Sequence, residues 1–228
     1  MNKNLNLPSC VIMAGGLGKR LGAITKKIPK PIIKVNNKPF LYYLLDKLIL
    51  SGFSKFVFVL SYKNRKIIEK LEYYKNKKKL KFIYRIDKKK NQGTFKSLND
   101  IKKDLGKDFF YTNADELPNF SIKKFYKLYK SSSSLITFVL FKNSKLGHFA
   151  IKEKRIFCSK KKDKNKYIEC GFKFINKRIF KLINSNKKKL ENNFLNNYLL
   201  KRCNYIEIKK LPYRIDSAHE ITNAKKFI

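Results

Sequence analysis

Between residues 9 and 114 the chain changes its hydrophobic period again and again, and this alternation restricts the fold more than any other feature. "SCVIMA" (9–14), "KFVFVLS" (55–61), "LKFIYRI" (80–86) and "DFFYTNA" (108–114) predict strands. "KPFLYYLLDKLILSG" (38–52), "NRKIIEKLEYY" (64–74) and "TFKSLNDIKKDL" (94–105) predict helices, the first with Pro39 near its start and Gly52 as its stop. Strand, helix, strand in repetition builds a parallel sheet covered by helices, because parallel neighbours need a crossover connection. Such sheets bind ligands in the loops at the carboxyl ends of their strands.

After "SIKKFYKLYKSSSS" (121–134) the texture changes. "LITFVLF" (135–141), "HFAIKE" (148–153), "RIFCS" (155–159) and "YIECGFKFI" (167–175) follow one another as strands, which predicts a mixed or antiparallel extension. Helix and strand return in "RIFKLI" (178–183), "LENNFLNNYLL" (190–200) and "NYIEIKKL" (204–211). No repeat and no linker stands out, so the expectation is one domain over residues 1–228.

Four of the nine glycines fall in "VIMAGGLGKRLG" (11–22), directly after the first strand. Glycine lets backbone come close to a ligand or take positive φ, so successive amides here could cradle phosphate oxygens, with Arg20 as a bidentate clamp. The spacing fits neither a Walker A loop, since Arg20 stands where Ser or Thr is needed, nor the dinucleotide fingerprint, since Leu21 stands where its last glycine belongs.

Three further places carry candidate chemistry. In "KKIPKPIIKV" (26–35) Lys30 lies between two prolines, which predicts an extended, restrained cation suited to phosphate charge. "YTNADEL" (111–117) sets Asp115 at a strand end, and "YRIDSAHE" (213–220) sets Asp216 at another before a C-terminal helix. Two carboxylates would suffice for one Mg²⁺ if phosphates and water supply its other ligands, and each Asp could instead be a helix N-cap.

Lys plus Arg number 55 against 16 Asp plus Glu, a formal charge of +39. Such a field attracts nucleic acid, anionic membranes or acidic metabolites. The cations are mostly Lys, spread in triplets along the chain, whereas a dedicated nucleic-acid face is more often Arg-rich and confined to one element. Abundant Lys, Asn, Ile, Phe and Tyr with no Trp also match simple A+T-rich codon usage. Cys10, Cys158, Cys170 and Cys203 are widely spaced, which predicts reduced, packed thiols in a cytoplasmic protein. The start "MNKNLNLPSC" lacks the apolar core of a signal peptide and no apolar run approaches membrane length, so a soluble, cytosolic protein is expected.

Taken in order, these pieces resemble the sugar-phosphate nucleotidyltransferase family, whose signature is a strand, then G-G-x-G-[TK]-R-L, then P-K-P. Here those residues are Gly15, Gly16, Gly18, Lys19, Arg20, Leu21 and Pro29, Lys30, Pro31. The similarity runs on through "NNKPFLYYLLDKLILSGFSKFVFVLSY", "NQGTFKSL", the "NAD" strand end, "ECGFKFI" and "RID". It is nearest to short single-domain guanylyltransferases acting on heptose or mannose 1-phosphate. The resemblance implies an α/β fold with a Rossmann-like, mixed, mainly parallel sheet flanked by helices, and the reaction of an NTP with a sugar 1-phosphate to give an NDP-sugar and pyrophosphate. By position it implies Arg20 and Lys30 as catalytic groups. Ala14, Gly15, Gly16, Gly18, Lys19, Gln92, Gly93, Thr94 and Asn113 would hold the nucleotide, Glu169 and Gly171 the sugar, and Asp115 and Asp216 the Mg²⁺. The sugar phosphate is itself an anionic nucleophile, so no general base is needed, and His148 and His219 are expected to be structural or surface residues.

The sequence also departs from that pattern. Phe95 and Lys96 stand where relatives have small residues, which leaves the base open among GTP, CTP, UTP and dTTP, with GTP favoured. The sugar-contacting Glu of an E-K-x segment is missing, and "ECG" replaces "NGG", so Glu169 takes the place of an Asn. The alternatives are a cytidylyl- or thymidylyltransferase on another phosphorylated acceptor, an inactive homologue, or a basic nucleic-acid-binding protein. A homodimer is open; no membrane and no dedicated nucleic-acid partner are expected.

Overall fold

The structure is a computed structural model that describes residues 6–61, 63–78, 80–89, 92–160, 163–182 and 197–227. The chain packs into two compact units. The first comprises residues 1–92, 112–119 and 212–228, and the second residues 93–111 and 120–211.

In the first unit, strands β1 (Ser9–Met13), β4 (Lys55–Leu60) and β5 (Lys81–Ile86) pair in parallel, with Val11 opposite Val57 and Phe58 opposite Tyr84. Apart from Lys55, β4 is buried at every position without alternation, as expected of a strand covered on both faces. Phe82 packs edge-on against Phe56 and Phe58, with ring centroids 5.6 and 4.9 Å away. Strands β2 (Lys34–Val35) and β3 (Lys38–Pro39) form a hairpin whose turn residues, Asn36 and Asn37, both have positive φ. Asn tolerates that conformation better than most residues, which suits it to a tight hairpin. Helix α2 (Phe40–Ser51) then buries Phe40, Leu41, Leu44, Leu45 and Leu48 and stops at Gly52. Strand β7 (Glu116–Leu117) pairs antiparallel with β13 (Tyr213–Arg214).

In the second unit, β11 (Lys166–Asn176) runs antiparallel to β6 (Asp108–Asn113), β8 (Ile136–Lys142) and β9 (Phe149–Lys152). Strand β10 (Arg155–Cys158) extends β9, and β12 (Cys203–Ile208) lies parallel to β8. The expected mixed extension is thus present. Phe174 is its hub, with Phe110 and Phe125 each 4.9 Å from it. Helix α5 (Ile122–Ser131) is started by the Ser121 hydroxyl, which accepts the Lys124 amide at 3.3 Å.

Two helices differ in their bounds from the sequence reading. The helix expected over 94–105 is α4 (Thr94–Asp100), after which Lys102 and Asp104 donate to Asn99 and Ile101 in successive tight turns. Helix α3 (Asn64–Lys78) runs beyond residue 74. The described part of 178–183 contains the helical turn Ile179–Leu182, and of 190–200 only Asn197–Leu200 falls within the described residues, also helical as expected.

All four cysteines are free thiols. Cys10 and Cys170 are buried, Cys158 and Cys203 partly so. Burial pushes the Cys10 thiol well up and takes Cys203 to about 12, so both behave as packing groups. Among the described residues no helix is long and apolar enough to cross a membrane.

Candidate functional site

The glycine loop leaves β1 as the sequence predicts. The Ala14 amide still belongs to the sheet, donating to Val59 O at 2.8 Å. Beyond it, among the described residues, the amides of Gly15, Gly16, Leu17 and Gly18 donate to no protein acceptor. Gly18 has φ +61, and a Cβ there would come within 2.7 Å of Thr25 Cγ2. Thr25, in the short helix α1 (Ala23–Lys27) and missed by the sequence reading, holds the loop by donating from Oγ1 to Gly18 O at 3.0 Å and Gly22 O at 3.2 Å. A Cβ on Gly16 would meet nothing within 4 Å, so this part of the loop is open. A row of undischarged amides beside open space has the character of an anion nest.

Lys30 corrects one expectation. It opens a 3₁₀ turn, Lys30–Ile32, instead of continuing an extended segment; only Pro29 is extended. Ile32 and Ile33 donate to Pro29 O and Lys30 O, and these two bonds outweigh the usual avoidance of helical geometry before proline. The lysine is 7% exposed, and its Nζ hydrogen-bonds both Asp115 Oδ2 and Asp216 Oδ1.

The ladder of β7 and β13 is what brings these two carboxylates together. Arg214 lies opposite Glu116. Asp115 immediately precedes that pair on one strand and Asp216 closely follows it on the other, so both leave the same end of an antiparallel ladder. Asn113 donates to Glu116 Oε1 at 3.3 Å, and Arg214 Nη2 lies 3.6 Å from the same oxygen. The amide of Ala114 donates to Met13 O at 2.9 Å, which sets the 113–116 turn beside the start of the glycine loop. Asp216 is held from behind by a capping box. Glu220 Oε2 accepts the amides of Asp216 and Ser217 at 2.6 and 3.0 Å, and Ser217 Oγ accepts the Glu220 amide at 3.2 Å. The S-x-x-E spacing at 217–220 was the available signal for it.

Burial alone would depress the Lys30 ammonium, but Asp115 and Asp216 outweigh it and hold its pKa above the ordinary value. Burial alone would raise Asp216; Lys30, then Arg20 and Arg214, outweigh it and hold its carboxyl below the usual range. Arg20 is 79% exposed in its side chain and only 3.4 Å from Asp216 Oδ2, a loose contact that leaves most of the guanidinium open. Lys19 is exposed beside it.

Gln92 is buried, and its Nε2 donates to Asp87 Oδ1 at 2.9 Å. In the second unit Gly93, with φ 91, caps α4, Thr94 is that helix's first residue, and the unexpected Phe95 is buried against Phe180 at 5.8 Å. Phe95 is therefore a core residue. Glu169 and Gly171 lie in β11. Glu169 pairs with Lys173 at 2.9 Å, a partner the sequence reading did not name. The histidines are exposed, and His219 Nε2 shares a hydrogen bond with Asn223.

Comparison with known proteins places the chain in a family. The chain is 32% identical over 115 residues to D-glycero-alpha-D-manno-heptose 1-phosphate guanylyltransferase of Campylobacter jejuni, covering 50% of each chain. It is 27% identical over 135 residues to mannose-1-phosphate guanyltransferase of Aspergillus oryzae, covering 58% of this chain and 37% of that one. The chain thus spans half or less of the length of these curated relatives. A crystal structure of HddC from Yersinia pseudotuberculosis complexed with GMP-PN superposes with a TM-score of 0.78 at 24% identity, covering 97% of this chain and 99% of that one. The family described as nucleotidyl transferase matches residues 9–198. With its glycine loop, its central lysine and a match over most of its length, this chain belongs to the nucleotidyl transferase family.

Proposed function

We propose that the chain is a sugar-1-phosphate nucleotidyltransferase, joining an NTP to a sugar 1-phosphate to give an NDP-sugar and pyrophosphate. GTP with D-glycero-D-manno-heptose or mannose 1-phosphate is the favoured pair. The observation that carries the reading is Lys30 Nζ, buried beside an open loop of undischarged amides and shared by two carboxylates from distant parts of the sequence.

Those groups suit the chemistry. Transfer of a nucleotidyl group needs in-line positioning and neutralised phosphate charge more than covalent help. An oxygen of the sugar phosphate attacks the α-phosphorus, the bond from that phosphorus to the β-phosphate oxygen breaks, and pyrophosphate leaves with the electron pair. No proton has to be removed. The amides of Gly15, Gly16 and Gly18 would hold the nucleotide phosphates, Lys30 would meet the α-phosphate, and Arg20, free over most of its surface, would clamp from the solvent side.

Asp115 and Asp216 converge on one point, at present filled by a cation from the protein itself, and their oxygens suit a hard divalent ion. Among the described residues no cluster of three or more metal-ligating side chains exists, so Mg²⁺ bound here would complete its shell with phosphate oxygens and water. Mg²⁺ would supply charge neutralisation between the two anions. Lys30 would then turn from the carboxylates to the substrate. Support for a guanine nucleotide comes from the names of the relatives and from GMP-PN in the similar structure. Free thiols and a nucleotide substrate fit work in the cytoplasm.

The test is pyrophosphate release with Mg²⁺ and each of GTP, CTP, UTP and dTTP against heptose, mannose and glucose 1-phosphates. Release with GTP and heptose or mannose 1-phosphate is expected. Silence across every pair would overturn the reading.

A further inference from the structure

Two basic turns of the second unit are pinned together. One is the segment 102–107 that follows α4, and the other, 177–181, follows β11. Asp108, which opens β6, lies opposite Asn176, which closes β11, and this pairing brings the turns side by side. The Lys177 amide then donates to Lys107 O at 2.8 Å, and Lys177 Nζ to Leu105 O at 3.1 Å. Between them opens a cavity of about 490 Å³, within the range of about 300–1,000 Å³ common to small-ligand sites.

The charge of its lining sets it apart. Six of its eight lining residues are cations, namely Lys102, Lys103, Lys107, Lys177, Arg178 and Lys181, against 55 of 228 in the whole chain. A lysine-rich composition alone would scatter such residues over the surface, where they repel one another least. Among the described residues no carboxylate lines the cavity, and Lys102, Lys103, Lys107 and Lys181 are exposed and form no ion pair. Asp108, at the end of the ladder, is already committed. Its Oδ1 accepts from Tyr129 Oη at 2.7 Å and from Asn176 Nδ2 at 2.8 Å, and its Oδ2 lies 3.4 Å from Lys130 Nζ.

That commitment sets up Arg178. Asn176 is 7% exposed, and with Nδ2 held by Asp108 its Oδ1 accepts the Arg178 amide at 3.0 Å and Arg178 Nε at 3.4 Å. The guanidinium is thereby tethered at Nε, while among the described residues its two Nη groups donate to no acceptor. Two further cavities, of about 150 and 500 Å³, share Arg178 with the first, so its open fork stands where three hollows meet. Such a fork suits two oxygens of one phosphate, and the lysines add point charges around it.

We propose that this cavity is a second, non-catalytic anion site that takes a compact chain of two or more linked phosphates, with Arg178 at its centre. A single phosphate carries about two charges at most, too few to balance four unpaired lysines and Arg178. A nucleic-acid strand needs open aromatic faces for its bases, and Phe180, the aromatic residue of the lining, is stacked on Phe109 at 6.1 Å. A membrane is flat where this site is hollow. The glycine loop, Lys30, Asp115 and Asp216 belong to the first unit and the cavity wholly to the second, so the proposal stands independently of the proposed reaction.

The experiment is calorimetric titration of the full chain with tripolyphosphate, without Mg²⁺ and at about 0.15 M salt. A binding event is expected that weakens at least about tenfold in Arg178→Gln with Lys107→Gln, the scale of hydrogen bonds to charged groups. Lys102→Gln with Lys103→Gln alters two exposed, unpaired side chains and should weaken the same event, which covers the case that the first variant folds poorly. Lys123→Gln with Lys127→Gln removes equal charge from exposed positions of α5 and should leave the event unchanged. Equal weakening by all three pairs would reveal only a general field and overturn the proposal, as would no weakening by the first two. Inorganic phosphate should bind at least about tenfold more weakly than tripolyphosphate, and equal binding overturns the requirement for a chain. Repeating the titration with ATP identifies the source. An Arg178-dependent loss for ATP too extends the site to the phosphate chain of a nucleotide, and a loss for tripolyphosphate alone assigns a free chain. Arg178-dependent capture of a single-stranded oligonucleotide or of anionic vesicles, with no tripolyphosphate event, overturns the proposal in favour of those partners.

Discussion

The loop-and-ladder region of the first unit and the bulged strand of the second solve different problems with the same kind of pair, a buried lysine on a carboxylate. Lys30 is shared between two carboxylates and lies beside an open run of loop amides, where the proposed metal and nucleotide would take over its contacts. Lys173 has one carboxylate partner, packs on a tyrosine ring and is enclosed. In the proposed reaction the first arrangement would exchange its contacts, whereas the second is packed on more than one side and would keep them.

The contrast can be broken most forcefully at Lys30. Lys30→Ala should lower kcat by about a hundredfold to a thousandfold, the scale for a lost charge-stabilising donor, with a smaller change in nucleotide Kd. An effect confined to a raised Kd would make Lys30 a binding group only. Gly18→Val comes next: the positive φ and the contact with Thr25 should cost about 1–3 kcal/mol of stability and weaken nucleotide binding, read by thermal melts with and without GTP. A variant that melts like the wild type would show that the loop relaxes freely. Arg214→Ala removes a cation that helps hold Asp216 below the usual carboxylate range. It should raise the Mg²⁺ concentration needed for half-maximal turnover by a few-fold, while an unchanged requirement would separate the β7–β13 ladder from the metal site.

The smallest effect is in acid stability. Asp216 has a lowered folded-state pKa, so its contribution is complete above the unfolded value of about 3.9 and is lost as pH falls through the folded value. The Tm difference between wild type and Asp216→Asn should therefore be largest near pH 5–7 and shrink steadily as pH falls below about 3.9. Lys30, raised above its ordinary value, adds no change in that window, because its contribution is lost only as pH rises past about 10.4. A difference that stays constant as the solution is acidified would contradict the assignment.

Much of the first unit was legible in the sequence because its signals are local. The change of period located β1, β4, β5 and α2 to within a residue or two, and four glycines in eight residues marked the nest. Asp115 and Asp216 were visible as strand-end carboxylates, but the ladder that joins them is two residues long on each side and has no period to detect. Lys30 was visible as a restrained cation and misplaced in backbone conformation, since the bonds that close its turn come from Ile32 and Ile33. Glu169 stood out only as a departure. Its partner could not be read, because a lysine four residues along a strand is out of reach until a bulge, set by pairing with β8, shortens the path. Phe95 likewise looked like a change at the base site and is filled core against Phe180, a contact across 85 residues of sequence.

The central claim is that the point shared by Lys30, Asp115 and Asp216 is where metal and nucleotide meet. The most direct measurement is single-turnover pyrophosphate release from GTP and heptose 1-phosphate by Asp115→Asn, with the Mg²⁺ concentration varied. The account predicts a folded protein that still binds nucleotide, turns over at least about a hundredfold more slowly and gains little from added Mg²⁺. Near-normal release with the wild-type Mg²⁺ dependence would place the chemistry elsewhere.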